Sequence, residues 1–105
     1  MQRVALSTGE WGAMAYFART FTDRLLGVWR VPDGSTVVLP VSTVHGFGRR
    51  QALDIVGLDA AMRVISTSRL EPNRIIVMPG ARMIIETPAG GVLPALGDRV
   101  ELTHA

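Results

Sequence analysis

The stretch LDIVGLDAAMRVISTSR, residues 53–69, decides the fold, because it holds two strand-like runs separated by a short turn. The first run, at 53–58, is apolar and has the length and β-branched content that favour a strand. The second, at 62–69, suits a strand whose side chains alternate between two faces. Residues 59–61 connect the two runs. The segment therefore predicts a β-hairpin of adjacent strands at the centre of the fold.

Turn residues divide the rest of the chain into further short runs. Pro, Asp, Asn and Gly mark turns at residues 31–34, 71–73 and 79–80. Strand-like runs lie between these breaks, at residues 13–18, 35–39, 74–78, 82–86 and 99–103, whereas residues 41–48 and 87–91 are predicted to be irregular.

One short helix is predicted near the N-terminus, in TFTDRLLG at 20–27. Thr20 can cap it, Asp23 lies in the first turn where the helix dipole favours a negative charge, and Gly27 can end it. The expected fold is mainly β, on the border of α+β. It is a compact antiparallel sheet or barrel-like domain of about six or seven short strands with one short N-terminal helix.

Length and composition fit one globular domain over residues 1–105. Hydrophobic residues make up 48% and charged residues 19%, which is typical of a folded chain. The chain has no cysteine, and therefore no disulfide framework and no thiolate nucleophile. Polar residues interrupt the apolar start, and no apolar run approaches the roughly 20 residues of a membrane span. We expect a cytoplasmic protein without a membrane partner.

All 11 basic residues are arginines, and the formal net charge is +2. Arginine binds phosphate and carboxylate through paired hydrogen bonds, so a nucleic-acid partner is conceivable. The arginines are scattered along the chain, however, and only Arg49 and Arg50 are adjacent. A basic stripe is therefore not predicted, and nucleic-acid binding is the least favoured function.

Segments in four parts of the chain together resemble the uncharacterised DUF192 family, also called UPF0127. They are ARTFTDRLLGVWR at 18–30, STVHGFGRRQALDIVGLD at 42–59, LEPNR at 70–74, and ETPAG with LGDRVEL within 86–102. Their order and spacing agree with the family over most of the chain. The resemblance implies a compact, mainly-β domain with a short helix near its start. It implies no assigned activity and no cofactor.

The resemblance also points to individual residues. The family's central motif is matched at Val44, His45, Phe47, Gly48, Arg50 and Asp54, and matches outside it are Arg24, Gly27 and the Pro88–Gly90 segment. Structural roles are expected for Arg24, Gly27, Gly48 and Gly90. Gly46, Arg49, Gln51 and Ala52 stand where the family pattern has Thr, Met, Phe and Pro. These four changes are expected to make the motif's surroundings more polar and more mobile.

His45, Phe47, Arg50 and Asp54 are the candidate ligand-binding residues. His45 could act as a general base, or it could hold a corner between strands by a hydrogen bond. Asp54, inside an apolar run, is expected to be partly buried and paired with Arg50 or Arg24, either structurally or at a ligand site. Phe47 could stack on a planar ligand or cap the core.

Two classes of function remain after this reading. The favoured one is a non-catalytic module that binds a small ligand or a protein partner around residues 44–54. The alternative is a small hydrolase or lyase that uses His45 as a base and Asp54 or an arginine as an orienting group. With two histidines and no local cluster of histidines and carboxylates, no metal site is predicted.

Overall fold

The computed structural model describes residues 1–20, 23 and 31–105, and these form two β-sheets. Nine strands are present, namely β1 (Gln2–Ser7), β2 (Gly12–Phe17), β3 (Thr36–Leu39), β4 (Thr43–His45), β5 (Leu53–Leu58), β6 (Val64–Leu70), β7 (Ile75–Val77), β8 (Met83–Pro88) and β9 (Glu101–His104). The fold is thus mainly β, as predicted, with more strands than expected. Among the described residues, no helix has the length and apolar character needed to cross a membrane.

The larger sheet has seven strands in the order β6-β5-β8-β3-β2-β1-β9. The predicted hairpin forms, with β5 pairing with β6 from Leu53 opposite Leu70 onward, but it lies at one end of this order and not at its centre as expected. Near the two ends of the strand order, Arg63 and Arg99 form a bridge, and the Val100 amide donates to the Met62 carbonyl at 2.8 Å. The sheet therefore curls until its edges meet at one end, in line with the barrel-like expectation.

The expectation of a purely antiparallel sheet is wrong at one pair of strands. β2 and β3 run parallel, with Tyr16 opposite Val37. Parallel neighbours need a crossover connection of a dozen or more residues, which residues 18–35 supply. The residue pattern within a single strand does not show whether the neighbouring strand runs parallel or antiparallel to it.

The predicted helix at 20–27 lies almost wholly outside the described residues, as do Arg24 and Gly27. Asp23 alone has helical backbone among the residues described there, and its amide donates to Thr20 Oγ1 at 3.0 Å. This is the hydrogen bond that an N-cap threonine makes. The helix itself stays a prediction.

Two strands lie where the sequence predicted none. β1 buries Val4 and Leu6 completely, or nearly so, while its other side chains are more exposed. β4 lies in the segment expected to be irregular, and it pairs with β7 to make the second, two-stranded sheet. A run of three residues such as β4 is too short to carry an alternating pattern, so only its pairing partner defines it.

Apolar side chains form two clusters on opposite faces of the large sheet. One cluster lies within the curl of the sheet and includes Val38, Val56 and Ile85. The other contains Ile55 and Ile84 from the large sheet, together with Val44 from β4 and the adjoining Ile76 from β7. The small sheet therefore packs against the outer face of the large one, and this positions the central motif.

Candidate functional site

His45 and Phe47 form an exposed aromatic pair at the end of β4. Their ring centroids lie 5.1 Å apart with the planes inclined by 28°, and the Phe47 amide donates to His45 Nδ1 at 3.3 Å. Phe47 is 53% exposed and therefore does not cap the core. The pair presents a flat aromatic surface to solvent, with Nε2 as the imidazole nitrogen not used by Phe47.

Gly46, which lies between His45 and Phe47 in the sequence, packs closely against the turn at residues 71–74. Its amide donates to the Arg74 carbonyl at 2.9 Å, and its carbonyl accepts from the Asn73 amide at 3.0 Å. A Cβ atom at Gly46 would lie 2.6 Å from the Glu71 carbonyl oxygen. Gly46 therefore serves the close approach of two turns and does not loosen the motif. Gly48, two residues on, has a φ of +79°, which glycine adopts without strain.

Asp54 is partly buried, as expected, but its partner is a backbone amide. Its Oδ2 accepts from the Gly90 amide at 2.9 Å, and it forms no ion pair with the exposed Arg50. Asp54 lies opposite Thr87 on β8, which places its carboxylate beside the Pro-Ala-Gly turn that follows that strand. The predicted Arg50 pairing is therefore wrong, and Arg24, the other candidate, lies outside the described residues.

The candidate residues do not converge on one site. Leu53 and Ile55 face the small sheet, so the alternation of β5 turns Asp54 toward the opposite face. His45 and Phe47 lie on the small sheet itself. A shared reaction centre of His45 and Asp54, which is one form of the enzyme hypothesis, therefore has no geometric support in the described part of the chain.

A buried carboxylate, Glu86, and its partner Arg49 were not among the site residues predicted from the sequence. Glu86 is 7% exposed and is the one buried charged residue within the described ranges. Arg49 Nη2 lies 3.9 Å from Glu86 Oε1. Burial raises the pKa of Glu86 above its ordinary value, although the Arg49 charge acts to lower it. Strand alternation could have indicated the burial of Glu86, because it puts Glu86 on the same face as the buried Ile84.

Arg49 also lines a small depression, called here the Arg49 depression. The loop at residues 31–35 forms one wall, and Val37, Leu53 and Pro88 form the apolar remainder. The depression has a volume of about 60 Å³. It has room for about four water molecules or a very small organic group. No group of three or more metal-binding side chains occurs among the described residues.

Glu86→Gln is expected to stabilise the protein at neutral pH. The raised pKa means that the folded state holds the Glu86 proton at pH values where the unfolded state has released it. Ionised Glu86 therefore lowers stability as the pH rises from about 4, the ordinary glutamate value, through the raised pKa. Thermal unfolding should show a higher unfolding midpoint for Glu86→Gln than for the parent at pH 7, and this difference should disappear below roughly pH 4.

The exposed Glu101→Gln is the matched control, and its unfolding midpoint should follow that of the parent at every pH. A Glu86→Gln variant that is less stable than the parent at pH 7 would show that attraction to Arg49 outweighs burial.

Comparisons with known proteins come from sequence and from structure. No family model matches the chain. A UPF0127 protein of Pyrococcus horikoshii is 32% identical over 103 residues, covering 88% of this chain and 90% of its own. A UPF0127 protein of Pyrococcus furiosus is 36% identical over 97 residues, covering 81% of this chain and 83% of its own.

Two solved structures have a similar fold. A protein of unknown function from Novosphingobium aromaticivorans matches with a TM-score of 0.71 and 19% identity, over 94% of this chain and 83% of its own. A Sinorhizobium meliloti protein described as a candidate transcription regulator matches with a TM-score of 0.73 and 18% identity, over 95% of this chain and 92% of its own. At these identities the likeness concerns the fold.

Proposed function

Given that this chain belongs to the UPF0127 family of uncharacterised proteins, we propose that it is a non-catalytic module that binds a protein partner. The proposed contact is the small-sheet surface, defined as His45, Phe47, Ile75 and Val77. The observation that carries the proposal is the exposure of three large apolar side chains on this one surface, since contiguous exposed apolar patches often mark interaction sites.

The two-stranded sheet separates its side chains into an inner and an outer set. Val44 and Ile76 lie opposite each other and pack against the large sheet. His45 lies opposite Ile75, and Val77 is two residues further along β7, so all three point outward. Ile75 is 58% and Val77 62% exposed. The outward-facing apolar side chains of this sheet are therefore left in contact with water.

Charge around the small-sheet surface indicates the chemistry of the partner. Arg74 directly precedes Ile75, and Arg50 follows Phe47 by three residues; both are exposed. Neither takes part in the ion pairs formed among the described residues, which join Arg49 to Glu86 and Arg69 to Glu71. A fitting partner segment therefore offers apolar side chains flanked by aspartate or glutamate.

Three alternatives have weaker support. A small ligand held by His45 and Phe47 needs a concave site, and the rings of these two residues lie on an exposed surface instead. The hydrolase or lyase hypothesis needs an orienting group for His45, and its one hydrogen bond within the described chain comes from the Phe47 amide. Nucleic-acid binding rests on the arginine count, without a basic stripe.

Selection from a random-peptide library tests the proposal on the intact protein. We expect enriched peptides that combine apolar anchors with acidic residues, and weaker binding as salt is added. The variant Ile75→Ser with Val77→Ser should lose most of this binding. Val92→Ser with Leu96→Ser is the matched control, because Val92 is 82% and Leu96 67% exposed but neither belongs to the small-sheet surface. It should bind as the parent does.

Several outcomes would contradict the proposal. No enrichment of acidic, apolar peptides, or equal binding by both double variants, would remove the small-sheet surface as the contact. Concentration-dependent self-association that Ile75→Ser with Val77→Ser abolishes would identify a second copy of this chain as the occupant. Salt-dependent retention on DNA or RNA would favour the nucleic-acid function instead.

A further inference from the structure

We propose that the Arg49 depression is a binding site for a small carboxylate, held by the Arg49 guanidinium. This site lies apart from the small-sheet surface and does not depend on a protein partner there. It concerns a ligand of about four or five non-hydrogen atoms, since the depression measures about 60 Å³. The class is a planar monocarboxylate with a short apolar stem, such as propionate.

The Arg49 guanidinium has unused hydrogen-bond donors in the described chain. A guanidinium has five N–H donors, and none of those of Arg49 donates a hydrogen bond within the described chain. Its separation of 3.9 Å from Glu86 is an ion-pair distance, longer than the 2.7–3.2 Å of a hydrogen bond. The side chain is 24% exposed, and Arg49 is one of the residues that line the depression.

Glu86 lies beside Arg49 and forms an ion pair with it. Glu86 lies between Val37 and Ile55 on the face of the large sheet that packs under the small one. Its burial raises its pKa, so Glu86 takes its negative charge less readily than an exposed glutamate does. The ion pair with Glu86 places the Arg49 side chain without occupying its hydrogen-bond donors.

The walls of the Arg49 depression suit a ligand with a short apolar stem. Val37, Leu53 and Pro88 line the depression, and so do Val31 and Pro32 from the loop before β3. Asp33 is the second charged residue of the lining, and it is exposed. A carboxylate with a single charge meets less repulsion from Asp33 than a phosphate does, and its two oxygens match two parallel N–H groups of a guanidinium.

Titration of the ¹⁵N-labelled protein with sodium propionate, followed by NMR at constant ionic strength, tests this site. Saturable shifts are expected at the amides of Gly34 and Leu53. Propionamide, which has the same shape without the charge, should bind about tenfold more weakly or not at all. Inorganic phosphate should not compete at equal concentration.

Arg49→Met should lose the propionate shifts, whereas Arg82→Met, at an exposed arginine outside the depression, should keep them. The spectrum of each variant reports its folding directly. If Arg49→Met does not fold, Arg49→Lys replaces it, because lysine keeps the charge but loses the paired donors, and binding should again weaken about tenfold.

The carboxylate site is overturned by any of three results. Propionate causes no saturable shift at Gly34 or Leu53, propionamide or phosphate binds as well as propionate, or the Arg49 variant binds as the parent does. These results leave peptide binding by the small-sheet surface unaffected, so the two proposals fail independently.

Discussion

Replacing Ile55 by alanine is expected to lower the free energy of unfolding by about 3 kcal/mol. Ile55 lies in β5, which is paired on both sides by β6 and β8, is 0% exposed, and packs in the cluster that joins the large sheet to the small one. The truncation removes buried methyl groups and leaves a cavity that the surrounding strands cannot close without breaking their register. Urea unfolding followed by circular dichroism gives the change.

Ile75→Ala is the matched control for Ile55→Ala, because it removes the same atoms from a residue that is 58% exposed. Its free energy of unfolding should change by about 0.5 kcal/mol or less. The loss in free energy of unfolding caused by Val64→Ala, at a residue 2% exposed in β6, should lie between those of the other two variants. Equal effects of Ile55→Ala and Ile75→Ala would mean that Ile55 is not part of a well-packed core.

Gly46→Ala is expected to lower the free energy of unfolding by about 2 kcal/mol. The added Cβ would meet the Glu71 carbonyl oxygen at 2.6 Å, and a backbone atom cannot move aside as a flexible side chain can. The two turns must separate, which weakens the hydrogen bonds that Gly46 makes with Asn73 and Arg74. Hydrogen exchange at the Asn73 amide should become faster than in the parent.

Gly9→Ala serves as the control for Gly46→Ala, since a Cβ at Gly9 meets no atom within 4 Å. It should change the stability by no more than about 0.5 kcal/mol. If Gly46→Ala is as stable as Gly9→Ala, then the two turns do not pack as closely as the structure places them. A threonine at this position, as in the family pattern, requires a wider spacing of the turns.

The β5–β6 hairpin and the family could be predicted from sequence because their signals are local. The run at 53–58 became β5 with the same bounds, since an apolar, β-branched run between turn residues satisfies both strand propensity and burial. The order of the matched motifs along the chain was sufficient to identify the family. The partner of Asp54 was not predictable in this way, because Gly90 is distant in sequence and reaches Asp54 only through the pairing of β5 with β8.

The amino-acid sequence by itself determined the mainly-β class, the hairpin and the turn positions, because each depends on neighbouring residues and their periodicity. Tertiary structure decided the direction of β3 against β2, the existence of β4, and the pairing of Arg49 with Glu86. These depend on strands that meet across long sequence separations. A carboxylate in an alternating run becomes a buried group only when a second layer covers its face of the sheet, and the order of the strands decides which face is covered.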